Sequence, residues 1–210
     1  MLVYEAIAAR RTIRDFQDRP VAHEIVRKIL SAGLCAPSNN HMRPWEFIVV
    51  DDPETRQALL TGVKPVSTAG ARAIINRWGL EDTLQREMYL EAIPKQVRMI
   101  QTAGVLIIPC FRQQEPLLKP KSLSDLNGFA SIWCCIENIL IAAAAEGVMG
   151  VMRIPFAKES ANMRAVLGIP AEYEVPCYLA LGYPQEGAQG ARQHTIDVGD
   201  RISFNHWGNR

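Results

Sequence analysis

The sequence predicts a fold that mixes helices with strands, and two patterns carry that expectation. Four short apolar runs, over 46–50, 104–110, 148–154 and 175–183, have the length and composition of buried strands. Between them lie longer segments whose apolar residues recur at helical spacing. A chain of 210 residues, 48% hydrophobic and 21% charged, can bury a sizeable core, as one domain or two small ones. No repeat, low-complexity run or linker-like stretch divides it, so residues 1–210 are expected to form one domain.

Taken in order, Leu2–Arg10 reads as a short helix ending in Arg10-Arg11-Thr12-Ile13-Arg14-Asp15-Phe16. Pro20-Val21 resets the chain, and His23–Leu34 is a second helix with Val26, Ile29, Leu30 and Gly33 on one side. A loop follows, Cys35-Ala36-Pro37-Ser38-Asn39-Asn40-His41-Met42-Arg43-Pro44-Trp45, polar and braced by prolines at both ends. Its composition suits an ordinary turn as well as a rigidly held binding loop. After the first strand, Asp51-Asp52-Pro53-Glu54 starts a helix, with an acid at the cap and proline at the first helical position, and Gly62 stops it. Residues 64–102 look helical but weakly patterned and are interrupted by Pro94; a lid and peripheral helices fit them equally.

Beyond the second strand and a loop over 111–124, Ser124-Asp125 is expected to cap the longest helix, which runs to Glu146 and stops at Gly147. That helix is apolar almost all round. Glu137 and Asn138 would fall mid-span in a membrane, where an ionised acid costs about 2.5–3.5 kcal/mol. A buried core helix, shared with a second subunit, is the expectation. Lys158–Leu167 is a further helix closed by Gly168 and Pro170. The stretch 185–210 has no core pattern, yet carries Ile196, Val198, Ile202, Phe204 and Trp207, and so should dock on something.

The net charge of +1 gives no electrostatic case for nucleic acid or a membrane surface. Five cysteines without a CxxC, and the absence of a recognisable signal peptide, lead us to expect a cytoplasmic protein. Neither a GxGxxG after a strand nor a GxxxxGK[ST] occurs, the four histidines have no ligand-spaced partners, and there is no GxSxG elbow.

Arg10, Arg11 and Arg14, with Thr12 between them, place three guanidiniums and a hydroxyl within five residues, which suits phosphate. Read alone, the cluster also fits a solvated turn pairing with Asp15 and Asp18. Read with Ala36-Pro37-Ser38…Pro44-Trp45-Glu46-Phe47-Ile48-Val49-Val50, it resembles the N-terminal signature of the FMN-dependent nitroreductase family. Glu137-Asn138-Ile139-Leu140-Ile141-Ala142-Ala143…Glu146-Gly147-Val148 is similar to that family's central helix. Leu167-Gly168-Ile169-Pro170…Leu181-Gly182-Tyr183-Pro184 and the final His206-Trp207 are similar to its end.

The resemblance implies an α+β fold, a mainly antiparallel sheet flanked by helices, in an intertwined homodimer with FMN at the subunit interface. It places Arg10, Arg11 and Thr12 at the phosphate and ribityl chain, and Arg14 at the pyrimidine edge of the ring. Pro37, Ser38, Asn39 and His41 would reach FMN from the other subunit. A backbone N–H near Ile154 would meet flavin N5, since Pro155 has none, and Arg192, chosen over Arg201, would complete the phosphate site. His41 stands where many members have Asn, and Arg43 where Gln is usual. The implied chemistry is ping-pong: hydride from NAD(P)H passes through the flavin to a nitro-aromatic, quinone or related small-molecule acceptor. No side chain is required as nucleophile or base, so none is named as catalytic. Reductive dehalogenation, enone reduction and non-catalytic FMN binding are the alternatives.

Overall fold

A computed structural model describes residues 1–113 and 115–210. The strand-like runs form one antiparallel sheet. β1 (Trp45–Val50), β2 (Val105–Arg112), β3 (Met149–Arg153) and β5 (Tyr178–Gly182) lie in the order β1-β2-β5-β3, and the short β4 (Tyr173–Glu174) pairs with the end of β2. Helices α1 (Val3–Ala9), α2 (His23–Leu34), α3 (Pro53–Leu59), α4 (Thr68–Arg77), α5 (Thr83–Thr102), α6 (Asn127–Ala145) and α7 (Ala157–Leu167) surround it. This is the expected α+β architecture.

The central strand shows why both faces are covered. Along β2, Val105, Ile107 and Phe111 join one core with α2 and α6, while Leu106, Ile108 and Cys110 join another with α3, α5 and α7. Successive side chains point to opposite faces, so a strand apolar at every position demands helices on both. α2 and α6 approach closely at Gly33, where an added Cβ would fall 2.6 Å from Ile139 Cγ1. That contact explains a glycine inside a helix.

Four expectations need correction. Pro94 does not interrupt the helical region: it lies inside the 20-residue α5, one residue longer than the 19-residue α6. Ala92, Ile93, Met99 and Ile100 are buried on either side of it, and this packing outweighs the ~3 kcal/mol an internal proline costs. The cap ahead of α6 is Ser122 with Asp125 around a 3-10 turn at Leu123–Leu126, and the α-helix begins only at Asn127. The last strand is split: Pro176 separates β4 from β5, since proline cannot donate to the ladder. Asp15 pairs with Lys95 rather than with the arginine cluster.

The stretch Leu123–Ala145, with mean hydropathy 1.6, is long and apolar enough to cross a membrane. Its Ile132, Ile136, Ile139 and Ala143 are buried in the core with α2 and the sheet, as in a core helix. The other face of α6, at Ala130, Cys134, Glu137 and Ala145, is exposed. So are Val3 and Tyr4 of α1 and, in the tail, Phe204 and Trp207, the last fully open.

Candidate active site

Burial of Ile13 and Phe16 pins the arginine segment. Leaving α1, the chain runs along the open edge of β3: Thr12 bridges Gly150 in parallel, and Ile13 N–H donates to the Gly150 carbonyl at 3.2 Å. Ile13 and Phe16 are buried and anchor the segment, while Arg11 is exposed and Thr12 and Arg14 are half-buried. The edge requires glycine at position 150, because a Cβ there would sit 2.4 Å from the Ala180 carbonyl oxygen. The tail returns to the same place, with Gly190 packed on Arg11 and Thr12.

The guanidiniums of the segment meet different partners. Arg10 lies 3.3 Å from Glu137 on α6. Arg11 curls back to the Ala8 and Arg10 carbonyls at 2.8 and 2.9 Å and meets no carboxylate among the described residues. Arg14, with its side chain only 10% exposed, pairs with Glu91 on α5 at 2.7 Å. Lys95, one turn further along α5, bridges Glu91 and Asp15. Burial pulls the Lys95 pKa down, but its hydrogen bonds to Asp15 and Glu91 outweigh that and leave it raised, so the amine stays charged. Arg192 is bound by Glu87 on the same helix. The i, i+4 series Glu87, Glu91, Lys95 therefore lines up against two of the candidate arginines. That spacing was visible in the sequence; its target was not.

The loop 37–41 stands apart from this segment. Asn39 N–H donates to Ser131 Oγ on the first turns of α6, and Ser38 Oγ accepts from Arg43 N–H. No hydrogen bond or ion pair among the described residues joins it to residues 10–14. Asn40, His41 and Arg43 have φ of 53°, 55° and 41°, a backbone region that costs a non-glycine residue energy. Pro37 and His41 are exposed on this loop.

Ile154 is exposed just beyond β3, in a turn held from beneath by a network that no local pattern announces. Arg153 and Glu159, both 9% exposed, form a bidentate pair at 2.5 and 2.8 Å. Arg153 also donates to Tyr178 Oη at 2.6 Å and to Gln96 Oε1 at 2.9 Å, while Glu159 accepts from Phe156 N–H at 3.2 Å. All three guanidinium nitrogens of Arg153 and both carboxylate oxygens of Glu159 are thereby engaged. Burial pushes the thiol of Cys110 up to about 11 and those of Cys135 and Cys177 up to about 12, so these cysteines stay protonated and unreactive. Among the described residues no cluster of His, Cys, Asp or Glu side chains could hold a metal ion.

Comparison with known proteins identifies the family. The Nitroreductase family model matches residues 7–183, and the chain belongs to that family. A Thermus thermophilus protein named NADH dehydrogenase is 30% identical, over 92% of this chain and 91% of its own. An iodotyrosine deiodinase of Nematostella vectensis is 25% identical, over 89% of this chain and 68% of its own. A solved FMN- and NADPH-dependent nitroreductase from Sphigopyxis sp. strain HMH superposes with a TM-score of 0.72 at 20% identity, covering 99% of this chain and all of that one. The last likeness shows the shared fold.

Proposed function

We propose that this member of the nitroreductase family is an FMN-dependent oxidoreductase, reducing nitro-aromatic, quinone or related small acceptors with NAD(P)H. The observation that carries the reading is the arginine segment pinned to the edge of β3. Its forks already take up anionic oxygens from Glu137 and Glu91, and Arg11 is left without a carboxylate partner. That donor set suits a phosphate at one end and a polar ring edge at the other. FMN, when bound, supplies the hydride-transfer chemistry, which asks of the protein only binding, orientation and electrostatics. Arg10, Arg11 and Thr12 would hold the phosphate and ribityl chain, and Arg14 the pyrimidine edge. The backbone around Ile154 would lie against the reacting part of the ring, held by the Arg153–Glu159 pair. Arg192 is exposed, so trading Glu87 for a phosphate would strand no buried charge.

The loop Pro37, Ser38, Asn39 and His41 would serve the FMN of a second copy. An intertwined homodimer also gives the exposed apolar residues of α1 and the tail, and the open face of α6, something to cover them. Interfaces of that kind bury roughly 2,000–5,000 Å². Sedimentation at micromolar concentration should find a dimer; a folded monomer with FMN bound would contradict it. The five free cysteines fit a reducing compartment, and we place the protein in the cytoplasm.

The purified protein should be yellow, or become so with FMN, and should bleach under anaerobic NADH or NADPH. Protein that stays colourless after reconstitution with excess FMN would refute the reading. Bound FMN that no nicotinamide bleaches would leave a flavin-binding protein without this activity. The iodotyrosine deiodinase relative motivates the second reading, reductive dehalogenation, and 3-iodotyrosine offered to the reduced protein tests it.

A further inference from the structure

A cavity of about 320 Å³ opens beside the loop 38–44, at the lower end of the range for small-ligand sites. Ser38, Asn39, Arg112, Gln113, Ser124 and Asp125 are among its walls. Its electrostatics are lopsided. Asp125 is occupied within its own turn, accepting from the Lys121 and Ser122 N–H groups at 2.7 and 3.1 Å and from the Ser122 hydroxyl at 3.0 Å. Glu115, also in the wall, faces Lys121 at 3.6 Å. Arg112, by contrast, donates its backbone N–H to the Pro44 carbonyl at 2.9 Å, and its guanidinium has no hydrogen-bond or carboxylate partner among the described residues.

Among the described residues, the carboxylates of the cavity are thus engaged and the guanidinium of Arg112 is not. The Ser124 hydroxyl and the side-chain amides of Asn39 and Asn40, all in the wall, likewise have no protein partner among the described residues. These are donors converging on a concave space, with no unengaged acid to compete for them. The rim is also strained, with Asn40, His41 and Arg43 all left-handed, and backbone strain concentrates at ligand clamps.

We propose that this cavity binds the carboxylate of an aromatic acceptor, with Arg112 as the residue that selects for it. The proposal rests on the reading above, in which the neighbouring Ser38 and Asn39 face a bound FMN. An aromatic acid would direct its charged end to the guanidinium and its reducible group toward the ring. A neutral analogue of the same shape would leave Arg112 without its anion.

The test compares 4-nitrobenzoate with its neutral isostere 4-nitrobenzamide, using FMN-loaded protein and NAD(P)H. Wild type should favour the acid in kcat/KM, mainly through KM. Arg112→Gln should lower the acid-to-amide ratio by about 10- to 100-fold, the size of a charge-assisted hydrogen bond, and Arg112→Lys should restore part of it. Calorimetric titration with benzoate and benzamide, neither of which is reduced, gives a second readout. Benzoate should bind wild type more tightly than benzamide and lose that advantage in Arg112→Gln. Equal treatment of acid and amide by FMN-loaded wild type, or a preference that survives in Arg112→Gln, would overturn the inference alone. Failure to take up FMN would instead overturn the reading it rests on, and benzoate binding to that same preparation would still decide the role of Arg112.

Discussion

Replacing Glu159 by glutamine, or Arg153 by methionine, should destabilise the protein by about 3–5 kcal/mol, the range for removing one partner of a buried ion pair. Both side chains are 9% exposed and bound to each other twice. Removing the carboxylate leaves a guanidinium that burial drives toward neutrality and that cannot lose its proton. Its pKa stays raised, against that burial, because Glu159 and Tyr178 hold it. Removing the arginine strands Glu159 and leaves Tyr178 Oη without its partner. For a chain of this length each 1 kcal/mol moves Tm by roughly 2–4 °C, so either variant should melt about 6–20 °C lower. The double variant Arg153→Met/Glu159→Leu should fall less than the sum of the singles, because no uncompensated charge remains. Thermal melts of the three proteins decide the matter. Singles as stable as wild type would mean the pair is not formed.

That network was illegible in the sequence for a physical reason. Arg153 and Glu159 are six residues apart across a strand-to-helix turn, and Tyr178 and Gln96 come from elements far along the chain; no local period links them. By contrast, β2 could be read directly, since a short apolar run of strand length fits a strand buried in the sheet. The Asp52-Pro53 start of α3 was equally plain, and the Asp52 side chain accepts from Thr55 N–H as the cap requires. Pro94 misled because proline's local cost is fixed, whereas the burial of Ile93 and Met99 that offsets it depends on the sheet. In the candidate site, the arginine segment was found by composition, and the burial of Ile13 and Phe16 anchors it. Which acids would hold Arg10, Arg14 and Arg192 was not inferable, because Glu137, Glu91 and Glu87 lie 77 to 127 residues away.

Glu91 sharpens the expectation for Arg14. If FMN lies as proposed, the guanidinium of Arg14 faces the ring edge where negative charge grows on reduction. Arg14→Ala should then weaken reduced FMN more than oxidised FMN. A contact worth about 1.5–3 kcal/mol corresponds to a two-electron potential lowered by about 30–65 mV. Arg14 is not an isolated cation, however. It sits in a balanced set of two cations, Arg14 and Lys95, and two carboxylates, Asp15 and Glu91. Removing Arg14 leaves that set one negative charge in excess; Glu91→Gln leaves it one positive charge in excess. The two substitutions should therefore shift the potential in opposite directions, down for Arg14→Ala and up for Glu91→Gln, and the double variant should return close to wild type. Arg10→Ala, acting at a phosphate whose charge does not change on reduction, should weaken both redox states alike and leave the potential in place. A purely structural Arg14–Glu91 tie between the arginine segment and α5 predicts something different: both single variants melt earlier and neither shifts the potential. Spectroelectrochemical titration of the FMN-loaded variants separates the two cases. Potentials in Arg14→Ala and Glu91→Gln that match wild type would remove Arg14 from the flavin edge.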